Sequence, residues 1–118
     1  MNYSELVGKI VEGMQDIKAE EITVLDLRKL ENSVTDYFVI CTANSTTHAE
    51  GIKNSVHKLV SKELQEKPWH NENTGESNWI LLDYVSAVVH IFLRDTREYY
   101  NIEDLWADAE RLDIGEEN

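Results

Sequence analysis

The chain has one cysteine, Cys41, and one proline, Pro68, in 118 residues. A lone cysteine excludes an internal disulfide and fits a reducing compartment. Cys41 lies in an apolar run, where a small buried hydrophobe is its expected role. The five glycines stand apart and form neither GxGxxG nor GxxxxGKS/T, so the sequence has no glycine-rich phosphate cradle. No apolar run approaches the ~20 residues of a membrane span. The chain opens Met-Asn-Tyr-Ser-Glu-Leu, without a basic stretch ahead of an apolar one, and does not read as a secretory signal. Cations are scarce: 11 Lys and Arg stand against 23 Asp and Glu, a formal charge of −12. Nucleic-acid binding draws most of its affinity from Lys and Arg at phosphates. RNA, DNA and anionic membrane surfaces are therefore disfavoured, and a basic protein is the favoured partner. Acidity that merely keeps the chain soluble would produce the same totals.

What is present is enough for one domain with a core. The longest apolar run, residues 79–93, is rich in β-branched and aromatic residues and predicts two strands with a tight reversal. With the turn centred between Val85 and Ser86, Tyr84 pairs with Ala87, Leu82 with Val89 and Ile80 with Ile91 on a face suited to a core. Asp83 then pairs with Val88, Leu81 with His90 and Trp79 with Phe92 on the other. That second face mixes large apolar groups with one Asp and one His, as binding surfaces do. Helices covering both faces, with His90 as a satisfied core histidine, is an equally good reading. A three-residue turn would shift the register by one and scramble both faces.

Tyr3, Leu6, Val7, Ile10, Val11, Met14 and Ile17 recur at spacings of three and four, which predicts an amphipathic helix over 3–17. Residues 22–27 and 36–42 read as strands, the second apolar enough to be buried on both faces. Ser45 or Thr47 can cap a helix over 46–65, and Thr47 with Glu50 makes a capping box. Residues 67–78 form the one long irregular stretch, expected to be the most mobile internal segment. Asn101 is a plausible cap for a helix entering Leu105 and Trp106, with Glu103 and Asp104 at its positive end. From residue 101 onward there are seven acids and one Arg, half of the net charge.

The catalytic templates each lack a member. His48 and His57 are nine apart and do not share a helical face, so no metal site is expected. Ser45 beside His48 is explained by capping, without a nucleophile and base. A phosphoryl-transfer pair would need a second acid two residues after Asp36, where Phe38 stands.

The segments Asp36-Tyr-Phe-Val-Ile-Cys-Thr-Ala-Asn-Ser45, Trp79-Ile-Leu-Leu-Asp-Tyr84, Val88-Val-His-Ile-Phe92 and Arg97-Glu-Tyr-Tyr-Asn-Ile-Glu-Asp-Leu-Trp-Ala-Asp108 form a specific combination in this order. They resemble the ribosomal silencing factors, the RsfS or Iojap family, over nearly the whole chain. Three positions depart from that family's habit. Val85-Ser86 stands where Gly-Asp is usual in the hairpin turn, and Ala107 and Ala43 stand where Gly is common. The resemblance implies a single α+β domain over 1–118, a mixed sheet flanked by helices, like nucleotidyltransferases without their catalytic acids. Disorder is expected over about 111–118. It implies no enzymatic activity, no cofactor and a cytoplasmic location. It also implies binding to large-subunit ribosomal protein number fourteen on the free large subunit, where the factor would bar the small subunit and repress translation. A homodimer when free is a further expectation. The expected partner surface is Trp79, Leu81, Asp83, Val88, His90 and Phe92, with Tyr99 and Tyr100 nearby. The alternative is a nucleotidyltransferase-related enzyme that binds nucleotide.

Overall fold

Ser4 begins the first helix: its hydroxyl accepts the Val7 N–H at 3.2 Å, and α1 runs over Glu5–Asp16. A computed structural model of the chain describes residues 2–74 and 76–115. The apolar stripe expected from the spacing is the buried face of α1, with Val7, Ile10 and Met14 fully enclosed. Ser45 caps α2 (Thr46–Leu64) by accepting the His48 N–H at 3.0 Å. The expected capping-box role of Glu50 is not realised. Its carboxylate instead takes hydrogen bonds from Ser77 and from Asn73 Nδ2, tying α2 to the far hairpin. A tertiary contact of that kind is invisible to local spacing.

The strands β1 (Glu20–Asp26), β2 (Tyr37–Ala43), β3 (His70–Thr74), β4 (Trp79–Asp83), β5 (Ala87–Leu93) and β6 (Glu110–Asp113) form one sheet in the order β3-β4-β5-β2-β1-β6. Only β2 and β5 are parallel, joined through α2 and the β3–β4 hairpin. β2 lies at the centre and is buried at every position, as its unbroken apolar run requires. Cys41 is fully buried there, and burial pushes its thiol up to about 12, which keeps it in the inert protonated form. No helix among the described residues is long and apolar enough to cross a membrane.

Helices α1 and α2 cover one face of the sheet. The core there joins Leu6, Ile10 and Met14 to Ile52, Val56 and Val60 over Val39, Cys41, Val89 and Ile91. The two helices meet closely at Gly13, where an added Cβ would lie 2.9 Å from the Val56 Cα. The opposite face carries a second, smaller core of Leu25, Leu27, Phe38, Ile40, Val88 and Phe92. It is roofed by two short helices, α3 (Arg94–Tyr100) and α4 (Ile102–Leu105), with Ile102, Trp106 and Ala109 packed against it, and by Leu30 from the β1–β2 connection.

Four expectations need correction. The stretch 67–78 contains β3, whose polar His-Asn-Glu-Asn sequence gives no strand signal but pairs along all of β4. The tail expected to be disordered over about 111–118 forms β6 at 110–113, paired with β1; residues 116–118 lie outside those described. Asn101 does not cap through its side chain. It closes α3 in the left-handed region at φ 44° and links directly into α4. Finally, the strand expected over 36–42 begins one residue later, at Tyr37; Asp36 precedes it, exposed, with its carbonyl accepting the Leu27 N–H at 2.8 Å.

Candidate functional site

The register read from residues 79–93 is the one found: Trp79 opposes Phe92, Leu81 opposes His90 and Asp83 opposes Val88. These six side chains share the face beneath α3 and α4. The expectation that all six form a surface is corrected for three of them. Phe92, His90 and Val88 are 0%, 4% and 7% exposed. They are enclosed because α3 and α4 fold back over β5 and β2, a placement that alternation along a strand does not encode. Trp79, Leu81 and Asp83, on β4, are half-buried at the margin of that roof. The face is therefore graded, a core on β5 and a rim on β4. The enclosure expected of a core histidine is found on β5, though His90 Nε2 has no hydrogen-bond partner among the described residues, and β4 stays at the surface.

Aromatic rings connect the core to the rim. The Trp79 ring stacks on Phe92 at 4.9 Å and leans against Tyr100 at 4.8 Å. Phe38 meets His90 edge-on at 4.7 Å and Trp106 edge-on at 5.8 Å. Trp79 Nε1 donates to His90 Nδ1 at 3.1 Å. Burial holds the imidazole neutral by pushing its pKa down to about 3. His90 thus acts through hydrogen bonding and carries no charge near neutral pH. Asp83 acts locally, where its Oδ1 accepts the Val85 N–H at 2.8 Å and anchors the β4–β5 turn. Above the rim, Tyr99, Leu105 and Tyr100 are 81%, 76% and 51% exposed. Glu98, Asp104 and Asp108, close to them along the chain, are also exposed.

Beside the aromatic face lies a polar one, which sequence reasoning missed. Arg97 of α3 is buried; its Nη1 donates to Thr42 Oγ1 at 2.9 Å and to the Glu21 carbonyl at 2.6 Å. Its Nη2 donates to Thr23 Oγ1 at 3.1 Å and Glu103 Oε2 at 3.0 Å. Thr23 in turn donates to Asp113 at 2.8 Å, so one guanidinium ties α3, α4, β1, β2 and β6 together. The available signal was the pair Thr23 and Thr42, hydroxyls set into otherwise apolar strands. The group borders a cavity of about 390 Å³ whose charged lining includes Arg94, Arg111 and Glu98.

His48, one of the two histidines considered for metal, has a structural role. His48 Nδ1 accepts the Asn44 N–H at 3.0 Å while Nε2 lies 2.7 Å from the Ile17 carbonyl, pinning the end of α1 to the start of α2. Among the described residues, no three His, Cys, Asp or Glu are grouped to hold a metal.

A family model described as "ribosomal silencing factor during starvation" matches residues 1–118. The chain belongs to the ribosomal silencing factor family. A ribosomal silencing factor of Bacillus subtilis strain 168 is 34% identical over 115 residues, covering 97% of this chain and 95% of that protein. The crystal structure of a Chromobacterium violaceum protein superposes with a TM-score of 0.82 at 30% identity, covering 98% of this chain and 96% of that one. A mouse protein named for mitochondrial assembly of the ribosomal large subunit is 29% identical over 102 residues, covering 85% of this chain and 44% of that protein. The α+β fold expected of a ribosomal silencing factor, a mixed sheet flanked by helices, is the fold observed.

Proposed function

We propose that this member of the family binds the free large ribosomal subunit through large-subunit ribosomal protein number fourteen, keeps the small subunit from joining, and so represses translation. The observation that carries this reading is the exposed pair Tyr99 and Tyr100, packed edge-on at 5.0 Å with Tyr100 against Trp79, on a chain of charge −12. Exposed aromatic groups on an acidic chain suit a basic protein surface, since aromatic anchors supply affinity and opposite charge speeds encounter. The relatives' names, one a silencing factor and one tied to the large subunit, agree in direction. In this reading the protein is a cytoplasmic binding module without turnover or cofactor, and dimerises through itself when off the ribosome. Trp79, Leu81 and Asp83 contribute at the rim, and Val88, His90 and Phe92 support it from beneath.

Cosedimentation with purified large subunits, followed by addition of small subunits, tests the reading. Binding to large subunits alone, with fewer joined ribosomes, is expected; an unchanged yield of joined ribosomes would overturn the block. Tyr99→Ala is the cleanest variant because Tyr99 is 81% exposed and supports little of the core. It should weaken sedimentation about tenfold, the effect of an anchor of ~1.4 kcal/mol, while the melting temperature stays put. The enzyme alternative predicts tight binding of nucleotide with divalent metal, which calorimetry would reveal.

A further inference from the structure

We infer that His90 is the positioning residue of the contact face: its imidazole holds the Trp79 indole by the N–H and so decides which edge of that ring is offered to a partner. The effect on binding rests on the docking proposed above; the orienting hydrogen bond does not. An indole has one donor and no acceptor, so Trp79 Nε1 at 3.1 Å requires His90 Nδ1 to be unprotonated. The ring proton of the neutral imidazole then sits on Nε2. Two neighbouring rings fix the plane of this acceptor. Its ring lies parallel to Phe92, 7° apart at 5.9 Å, and meets Phe38 at 78° and 4.7 Å. Backbone pairing sets it between Leu81 and Ile40 on the flanking strands.

Trp79 lies nearer the solvent than His90. It is half-buried at the rim, stacked on Phe92 and tilted 45° against Tyr100. Stacking acts on the whole π-face and does not by itself single out the indole N–H. A hydrogen bond does, since it acts on one atom in one direction. With the N–H turned inward to His90, the rim offers a hydrocarbon edge continuous with Tyr100. With the ring reversed it would offer a polar N–H there instead. A phenylalanine could fill the space of His90 and stack on Phe92, but it could not make that choice. This accounts for an imidazole at a 4% exposed position where Nε2 has no hydrogen-bond partner among the described residues.

Nuclear magnetic resonance of the full chain tests this. Trp69, Trp79 and Trp106 give three indole N–H signals, and Trp79→Phe assigns one of them. In the native chain, the ¹⁵N shifts of His90 should show Nδ1 unprotonated and Nε2 protonated at neutral pH; a proton on Nδ1 overturns the inference. In His90→Phe the Trp79 indole signal should move and exchange about tenfold faster, the loss of one buried hydrogen bond. His90→Asn, whose Oδ1 falls near the position of Nδ1, should restore it. Binding to large subunits should follow the same order, weakened in the Phe variant and recovered in the Asn variant. A folded His90→Phe protein with an unmoved Trp79 signal, or with a moved signal and undiminished binding, overturns the assignment. Should His90→Phe not fold, the native tautomer decides alone. If the native chain itself fails to sediment with large subunits, the docking reading falls, and the indole signals still decide the positioning.

Discussion

Val85 is the residue most at odds with its backbone. It sits at φ 74° in the β4–β5 turn, where the Ser86 N–H donates to the Tyr84 carbonyl at 2.9 Å. That is a γ-turn with positive φ, the more strained of the two γ-turn forms, and a β-branched side chain is the worst occupant. The resemblance already marked the position, because Gly-Asp is usual there. Val85→Gly should stabilise the fold by about 1 kcal/mol and raise Tm by about 4 °C, since Gly takes positive φ without a Cβ penalty. A lower Tm would show that the Val85 side chain packs usefully despite its exposure. His90 gives a second test. Its folded pKa of about 3 lies below the ordinary 6.5, so the unfolded chain takes up this proton first as pH falls. Its contribution to stability is therefore complete above pH ~6.5 and declines below it, by about 2 kcal/mol at pH 5. Melting temperatures of the native chain should fall more steeply between pH 7 and 5 than those of His90→Phe; parallel curves would show that His90 does not titrate this way.

Elements are joined here by a few long-range polar ties. Arg97 connects α3 to α4, β1 and β2 while its partner Glu103 is almost enclosed, with a side chain 12% exposed. Arg97→Leu leaves that carboxylate with only Arg111, at 3.9 Å, and costs about 3 kcal/mol. Adding Glu103→Leu should recover much of the loss, because the double change removes the stranded charge as well. Denaturant melts of the single and double variants check this, and a double variant no better than the single would place the stability in the hydroxyls of Thr23 and Thr42 instead. Gly13→Ala should also destabilise: although Ala is the better helix former by about 1 kcal/mol, its Cβ would meet the Val56 backbone at 2.9 Å.

Across the molecule, charge governs encounter more than residence. With a net charge of −12, half of it from residue 101 onward, the chain should be drawn to a basic partner. Exposed charges are screened beyond ~8 Å at physiological salt. Raising salt should therefore slow association with the large subunit more than it speeds release. Surface-immobilised large subunits would report both rates, and a salt-independent association rate would count against electrostatic steering.

Helix α1, the capped start of α2, strand β2 and the β4–β5 register were legible from residues alone, because each depends on a local period, a cap or a turn. So was the division of 79–93 into two faces, since side chains alternate strictly along a strand. Strands β3 and β6 were not legible: polar sequences such as His-Asn-Glu-Asn become strands when a neighbour offers an open edge. The burial of Val88, His90 and Phe92 was likewise hidden, because it depends on α3 and α4 folding back over the sheet. Arg97 reads in the sequence as one more surface cation. It becomes the central tie of five elements only because Thr23, Thr42 and Glu103, distant along the chain, are brought within hydrogen-bond reach of it. Local chemistry chose the elements and their faces, and the closure of the chain on itself chose which strand of the graded face is core and which is rim.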